Sequence, residues 1–391
     1  MKLTRTLSIA LSIMILAGAL TRIIPASANT NGNSANEFYI SVSGNDTNDG
    51  KTHYKAVRTV KRVIELINAA GLGKNDTATV YVDSTVGGAQ PASVTDMDEV
   101  VSYYNHKAEN TAENIIPNHT CTVRFTSYNS TDGAMDYLGY GKMLTRNSNG
   151  VFEGYGYYLS LAGPTVFENI VLLDISKQGQ YWDNPVNIRN NTAIFSDVKW
   201  SYIKESGEIV NDAQKASARD LFYAGNTQSF YNLQYFERSE SITQTIAFEG
   251  NNQYNLPKSF AFGNSNSSWE YGGKKFNGNT TFVWGIENKT LNTVYLAYEA
   301  GTDSSLAFNY NGNVNIVMKN GAKVSNIKVK PDGDYITPNI TGAVQIVANA
   351  GSEINTADIA AIAEAYTSNS IYTIANNSSD ITLHTAKVWK Q

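Results

Sequence analysis

The chain has 391 residues, a formal net charge of −5 and only 17% charged residues. An acidic chain without a basic block is not attracted electrostatically to nucleic acid or to an anionic membrane surface, so neither is expected as a partner. The one cysteine, Cys121, excludes an intramolecular disulfide, and we expect it to be a buried strand residue rather than a nucleophile.

The first 28 residues have the layout of a cleaved secretory signal peptide. Lys2 and Arg5 precede an apolar stretch over residues 7–20, and Ala26-Ser27-Ala28 precedes a polar run. The alternative is an uncleaved anchor, for which the apolar stretch is short. We therefore expect an extracellular or cell-surface protein with no membrane span after signal cleavage.

A strand and an amphipathic helix follow the polar linker over residues 29–37. Apolar and polar residues alternate from Phe38 to Val42, which predicts the first strand. Thr59 is a suitable N-cap for a helix over Thr59 to Ala70, with apolar residues spaced for one buried face at Val60, Val63, Ile64 and Ile67. A second strand is expected over Thr79 to Val82. Residues 38–83 thus form one unit of strand, helix and strand.

Residues 84–119 indicate an insertion of mostly irregular structure. Within it, Thr95 to Tyr104 has a pattern that resembles a capping box and predicts a short helix.

From residue 120 onward, short apolar runs alternate with Gly, Asn and Asp, which predicts an all-β fold. The two forms left open are a parallel β-helix and a stacked sandwich. Expected elements are strands over Thr192–Ile203, Thr280–Trp284, Thr293–Tyr298, Val314–Met318 and Val344–Ala348, a helix over Thr356–Tyr366, and a hairpin-like segment over Ile371–Trp389.

A weak four-residue unit, apolar-any-Asn/Asp-apolar, recurs along this region. Its copies are Phe167–Ile170, Phe195–Val198, Phe230–Leu233 and Val324–Ile327. Asn and Asp tolerate the left-handed conformation, so the unit predicts a corner repeated in the coils of a solenoid. The alternative is chance repetition in an Asn-rich chain.

The stretch FYISVSGNDTNDGKTHYKAVRTVKRVIELI resembles the N-terminal region of secreted bacterial right-handed parallel β-helix proteins of the pectate-lyase-like kind. It matches their pattern at Tyr39, Ser41, Gly44, Asn45, Asp46, Asn48, Asp49 and Gly50, and departs from it at residues 53–57. The resemblance implies an all-β right-handed parallel β-helix over residues 38–391, with the helix capping its first coil. Together with the style of the signal, it indicates a bacterial, Gram-positive-like source.

The loop from Ser43 to Thr52 is rich in oxygen-bearing side chains, which favour calcium. Asp46, Asn48 and Asp49 are the candidate ligands, and Ca²⁺ is the single cofactor that the sequence offers. An EF-hand is excluded by the spacing of Gly50 and Val57. The alternative is a turn held by bonds from side chains to the backbone.

The resemblance also implies candidate catalytic residues. Polysaccharide lyases of this fold use Lys or Arg as the base, and Lys199 and Arg189 are candidates for that role. Glycoside hydrolysis needs two facing carboxylates, for which Asp197 and Glu168 are candidates. The alternative is that these are solvated groups on strand edges. The signature motifs of pectin hydrolases and pectate lyases are absent from the sequence.

Aromatic residues are plentiful, with 24 Tyr, 14 Phe and 5 Trp. Aromatic faces next to amide groups suit sugar rings, which predicts glycan binding, and the alternative is a plain aromatic ladder on a β surface. The candidate glycan-binding residues are Tyr155, Tyr157, Tyr181, Trp182, Trp269 and Tyr271.

The sequence thus favours a monomeric, non-catalytic module for glycan binding or adhesion, whose partner is a polysaccharide or a host or cell-wall glycan. The alternative is a polysaccharide lyase or glycoside hydrolase acting on an acidic polysaccharide, and a third possibility is a structural stalk. An enzyme requires facing acidic or basic residues, whereas a binder requires exposed aromatics.

Overall fold

The structure is a computed structural model that describes part of the chain. The described residues are 35–102, 114–116, 118–129, 135–140, 145–146, 148–149, 152–153, 159–175, 186–188, 192–204, 206–210, 234–236, 243–250, 259–263, 275–287, 289–298, 309–328, 339–340, 342, 344–348, 353–354, 372–375 and 382–383.

The described elements are one α-helix, Val60–Ala69 (α1), two 3-10 turns, His53–Lys55 and Met97–Glu99, and short strands. The strands up to residue 174 are Glu37–Ser41 (β1), Thr77–Asp83 (β2), Asn114–Ile116 (β3), Thr122–Ser127 (β4), Tyr137–Tyr140 (β5), Thr145–Arg146 (β6), Phe152–Glu153 (β7), Leu159–Leu161 (β8) and Thr165–Asp174 (β9). The next are Val186–Ile188 (β10), Thr192–Ile203 (β11), Ile209–Val210 (β12), Gln234–Phe236 (β13), Gln244–Glu249 (β14), Ser259–Gly263 (β15), Lys275–Phe276 (β16), Thr280–Gly285 (β17) and Thr290–Tyr298 (β18). The last are Asn309–Tyr310 (β19), Val314–Met318 (β20), Lys323–Lys328 (β21), Asn339–Ile340 (β22), Val344–Ala348 (β23), Glu353–Ile354 (β24), Tyr372–Ala375 (β25) and Thr382–Leu383 (β26).

The fold is mostly parallel β-sheet. In the first sheet, the main path of strands is β1-β2-β4-β9-β11-β14-β17-β20-β23-β25, and each neighbouring pair on it is parallel. Three smaller parallel sheets run β13-β15-β18-β21-β24-β26, β16-β19-β22 and β10-β8-β3. Among the described strands, the antiparallel pairs are β11 with β12 and β6 with β7.

From β14 to β22 the chain visits three sheets in a fixed order. Successive rounds are β14-β15-β16, β17-β18-β19 and β20-β21-β22, and each strand pairs with its counterpart one round earlier. Parallel pairing between rounds disagrees with the sandwich alternative, because sandwiches are built from antiparallel sheets.

The hairpin expected over Ile371–Trp389 is also wrong. β25 pairs in parallel with β23 and β26 with β24, since each of these strands continues a different sheet.

Stacked apolar side chains cover the buried face of the first sheet. Phe125, Phe167, Phe195 and Phe248 hold the same register position on four successive strands, with ring centroids 5.8, 5.5 and 4.8 Å apart. The spacing follows from the strand separation of about 4.8 Å. Each ring is fully buried, so removing one would leave a cavity and cost about 3–5 kcal/mol.

The predicted corner occurs in two of the three repeat units that the structure describes. Asn169 (φ 49°) and Asp197 (φ 52°) both adopt the left-handed conformation at equivalent places on β9 and β11. The prediction is wrong for Asn326, which lies inside β21 where strand geometry continues. The unit at Phe230–Leu233 lies outside the described residues, as does the helix predicted over Thr356–Tyr366.

A second repeated corner joins the β16-β19-β22 sheet to the first sheet. Gly312 packs so tightly that a Cβ on it would lie 2.0 Å from the carbonyl oxygen of Gly278, and Gly342 has the same relation to Gly312. Beside this column the Asn311 side chain donates to Asn277 Oδ1 at 2.9 Å. Only glycine fits such a close approach between successive backbones.

Helix α1 agrees with its prediction. Thr59 is the N-cap, and its hydroxyl oxygen accepts a bond from the Arg62 amide at 3.2 Å. The expected face is buried at Val60, Val63, Ile64 and Ile67, where it joins the core of the first sheet. Cys121, one residue before β4, is buried as expected.

The segment after β2 is irregular in its first part. The short helix expected over Thr95–Tyr104 is wrong, because the described part contains only the 3-10 turn Met97–Glu99. The Glu99 carboxylate accepts the Thr95 amide at 2.7 Å and closes the turn, while Val101 then bridges to Leu138 in an extended conformation. Further along, Asn114–Ile116 forms strand β3 rather than irregular structure.

Candidate functional site

The loop from Ser43 to Val57 turns the chain back along the outer edge of β1. Tyr39 donates its amide to the Gly50 carbonyl at 2.8 Å, and Ser41 donates to the Val57 carbonyl at 2.9 Å. Two glycines make this possible. A Cβ on Gly44 would lie 2.1 Å from the Val57 oxygen, and Gly50 has a φ of +65°. The segment 50–57 therefore covers the edge of β1.

The three candidate metal ligands in this loop hold its backbone. Asp46 accepts the Arg58 and Thr59 amides at 2.7 and 3.0 Å. Asn48 donates its side-chain amide to the Ala56 carbonyl at 2.9 Å. These are the contacts expected if the loop is a turn held by hydrogen bonds from side chains to the backbone.

Asp49, the third candidate, accepts the Lys51 amide at 3.0 Å, and this bond lowers the pKa of its exposed carboxyl below the ordinary value. Within the part of the chain that the structure describes, no group of three or more His, Cys, Asp or Glu residues could hold a metal ion. Calcium binding by the loop stays a prediction.

A cluster of aromatic side chains lies on the outward face of β1, β2 and the residues around them. We call it the aromatic platform, and it consists of Tyr39, Tyr81, Tyr128, His53 and Tyr54. Tyr39 and Tyr81 face each other in the register of β1 and β2, with ring centroids 5.2 Å apart and an interplanar angle of 24°. Tyr128 lies edge-on to Tyr39 at 6.0 Å.

His53 extends the platform from the loop. Its ring stacks flat on Tyr128, with centroids 4.2 Å apart and an interplanar angle of 3°. Tyr54 lies next to it at 5.8 Å and is 95% exposed, and Tyr128 is 41% exposed. The 3-10 turn His53–Lys55 holds both residues of the loop on the outer side.

Hydrogen bonds fix the polar rim of the platform. His53 Nε2 donates to Asp83 Oδ2 at 2.7 Å, and the Asn129 side chain donates to Asp83 Oδ1 at 3.0 Å. Thr85 donates both its amide and its hydroxyl to the same Oδ1 atom, at 2.9 and 2.7 Å. Burial alone would raise the pKa of Asp83, but the bonds from His53 and Thr85 outweigh it and the pKa is lowered.

The hydroxyls of Tyr39 and Tyr81 are protonated at neutral pH and can donate hydrogen bonds. Burial raises the pKa of Tyr39 and of Tyr81 above the ordinary value of 10.0, and the charge of the nearby Glu37 raises both further. The Tyr81 hydroxyl lies 3.5 Å from Glu37 Oε1.

A buried polar network supports the platform from behind. Asp136 is fully buried, and its carboxylate accepts the Ser84 amide at 2.9 Å, the Gln90 side chain at 2.8 Å and the Asn129 amide at 3.0 Å. Asn129 thus connects Asp136 to Asp83. The network fixes Asp83, the last residue of β2, and the following Ser84 against the chain that leads into β5.

The structure gives the candidate catalytic carboxylates separate contacts. Glu168 pairs with Arg124 at 3.1 Å, and their side chains are 14% and 15% exposed. Asp197 instead faces Gly250, because a Cβ there would lie 2.5 Å from Asp197 Oδ1. The contact of Glu168 is therefore toward β4, and that of Asp197 toward β14 on the opposite side.

Lys199 is half-buried on β11, opposite Val171 of β9 in the register. The remaining predicted site residues lie outside the described residues, namely Arg189, Tyr155, Tyr157, Tyr181, Trp182, Trp269 and Tyr271.

No sequence pattern predicted the aromatic platform. One signal could have found part of it, because Tyr39 and Tyr81 occupy the same place in two parallel strands, Phe-Tyr-Ile and Val-Tyr-Val. His53 and Tyr54 fall where the sequence departs from the pectate-lyase-like pattern, at residues 53–57.

No described helix has the length and apolar character needed to cross a membrane. In comparisons with known proteins, the chain matches no family model, no curated protein and no solved structure.

Proposed function

We propose that this chain is an extracellular, right-handed parallel β-helix protein of the pectate-lyase-like kind that binds a glycan without catalysis. The fold is supported by the parallel pairing of successive rounds and by the amphipathic helix α1 beside the first strand. The apolar end of a solenoid needs a cap with a polar outer face, and α1 has the pattern for that role. The predicted signal peptide supports an extracellular location.

The observation that carries glycan binding is the aromatic platform. Sugar rings present C–H faces that pack on aromatic rings, and hydroxyls that need paired donors and acceptors. Tyr54 and Tyr128 supply exposed aromatic surface, while Asp83 lies within the rim beside them. The contacts of His53 with Tyr128 and Asp83 hold the surface in place before any ligand arrives, which lowers the entropic cost of binding.

The enzymatic alternative has less support. It needs a facing pair of titratable groups, and the Glu168 carboxylate is already neutralised by Arg124. Arg189, a candidate base, lies outside the described residues. Catalysis therefore stays a prediction of the sequence alone.

The test is binding of the exported form of the chain to a panel of soluble polysaccharides, by affinity electrophoresis and calorimetry. We expect retention by at least one glycan. The double variant Tyr54→Ala/Tyr128→Ala should weaken this binding about tenfold or more, the effect of losing about 1.4 kcal/mol of contact energy.

Val86→Ala is the matched control, because Val86 is an exposed apolar residue (58%) that is not part of the platform. Unchanged binding by the double variant would overturn the proposed site. Release of unsaturated products from uronic-acid polysaccharides with Ca²⁺, followed by absorbance, would overturn the non-catalytic function.

A further inference from the structure

The charged groups around the aromatic platform constrain which glycans it can accept. Two carboxylates border it. Glu37 Oε1 lies 3.5 Å from the Tyr81 hydroxyl, and Asp83 Oδ2 lies 2.7 Å from His53 Nε2. The charge of Glu37 raises the pKa of Tyr39 as well as that of Tyr81. Asp83 contacts the platform through its hydrogen bond with His53.

The cations near these residues are engaged elsewhere. Arg124, whose charge also acts on Tyr81, pairs with Glu168 at 3.1 Å. Lys55 Nζ lies 3.4 Å from Asp49 Oδ2, and Lys51 Nζ lies 3.5 Å from the centre of the Phe38 ring. Among the described residues, the cationic group that contacts a platform carboxylate is His53 when it is protonated, and it is bound to Asp83.

We infer that the platform binds an uncharged glycan built of hexose units and discriminates against glycans that carry uronate carboxylates. This inference rests on the proposed function. A uronate packed on Tyr128 would lie near the charge of Asp83, and one packed on Tyr39 or Tyr81 would lie near the charge of Glu37. Among the described contacts, no free guanidinium fork is available to hold it.

The same carboxylates favour an uncharged sugar. A carboxylate is a strong acceptor for a hydroxyl group, so Glu37 can bind a sugar hydroxyl while the Tyr39 and Tyr81 hydroxyls donate. A neutral ring gains these bonds without the repulsion that a uronate ring meets. The specificity therefore comes from charge around the aromatic surface rather than from the aromatic surface itself.

The experiment compares acidic polysaccharides with their carboxyl-reduced forms, which have the same linkages and differ in charge. Polygalacturonate, alginate and hyaluronan are tested at low ionic strength against their reduced counterparts, with neutral β-glucan and galactomannan alongside. We expect each carboxyl-reduced polysaccharide that binds to bind about tenfold more tightly than its acidic parent. The difference should shrink at 0.5 M salt, where exposed charges are screened.

Glu37→Gln is the diagnostic variant, because it removes one rim charge and keeps a hydrogen-bonding side chain. This variant should reduce the difference in binding affinity between the acidic and the carboxyl-reduced polysaccharides several-fold. Glu65→Gln is the matched control, since Glu65 is exposed on α1 and pairs with Arg62, and it should leave the difference unchanged.

Equal or tighter binding of the acidic forms, or a Glu37→Gln variant identical to the parent, would overturn the charge inference while leaving glycan binding intact. Failure of every glycan to bind, or binding that does not depend on Tyr54 and Tyr128, would overturn the proposed function and this inference with it.

Discussion

At the end of β2, the Asp83 carboxylate joins three separate parts of the chain. It accepts bonds from His53 of the edge-covering loop, from Thr85 just beyond β2, and from Asn129 after β4. The bonding residues lie up to 46 residues from Asp83 in the sequence. One buried side chain therefore determines whether His53 stays stacked on Tyr128.

Replacing Asp83 with Asn tests this role. We expect a loss of about 1–2 kcal/mol of unfolding free energy at pH 7, because charge-assisted bonds become neutral ones. The folded-state pKa of Asp83 lies below its ordinary value of 3.8, so the carboxylate stabilises the fold above that pH. The difference in unfolding free energy between parent and variant should shrink as the pH falls below about 4.

Denaturant unfolding at a series of pH values measures this difference. A difference that persists unchanged at pH 2.5 would contradict the assignment. Thr47→Ala is a suitable control, because its exposed hydroxyl bonds only locally to Asn45.

At the scale of elements, the start of α1 depends on the loop that precedes it. Thr59 caps the helix, and Asp46 binds the Thr59 hydroxyl at 2.8 Å as well as the amides of Arg58 and Thr59. The loop thus positions the cap residue, because its acidic side chain bonds to Thr59, thirteen residues further on. Such capping bonds are worth about 0.5–2 kcal/mol each.

Asp46→Ala should therefore destabilise the protein by about 2 kcal/mol, because two backbone amides and one hydroxyl lose their acceptor. Asp49→Ala is the matched control and should cost under about 0.5 kcal/mol, since its side chain is exposed. Thermal unfolding of both variants with and without Ca²⁺ gives the comparison. Equal effects of the two variants, or stabilisation of the parent alone by Ca²⁺, would favour the metal site over the turn.

Local elements could be predicted well from sequence, and their partners could not. The spacing of Val60, Val63, Ile64 and Ile67 predicted α1, and the run Thr192–Ile203 predicted β11, because periodicity is a local property. The hairpin at the C-terminal end was wrong because pairing depends on the sheet that each strand continues. The platform was missed for the same reason, since His53 and Tyr128 meet only after folding.

At the scale of the whole molecule, stability is distributed over contacts between successive rounds. The column of Gly278, Gly312 and Gly342 brings backbones together without side chains, and the rings of Phe276 and Tyr310 stack beside it at 5.1 Å. In such an arrangement each round contacts chiefly its neighbours, so damage to one round should remain local.

Gly312→Ala tests this locality. The added methyl group would meet the Gly278 carbonyl, which forces the turn to move and should cost about 1–3 kcal/mol. We expect faster amide hydrogen exchange in residues 275–342, with unchanged exchange in β1, β2 and α1. Gly73→Ala is the control, because a Cβ there meets only a side-chain oxygen at 3.6 Å. Uniformly faster exchange along the whole chain would contradict local behaviour.

Because one edge of β1 is covered, strands of the first sheet can be added only on its other edge. Segment 50–57 occupies the outer edge of β1, so the first described strand of the sheet has no free edge over Tyr39 to Ser41 on the side away from β2. Each later strand of the first sheet then extends the opposite edge, in nearly the order of synthesis. At the β1 end of the described sheet, a neighbouring chain therefore finds no open strand edge to pair with, and new strands can add only at the other end.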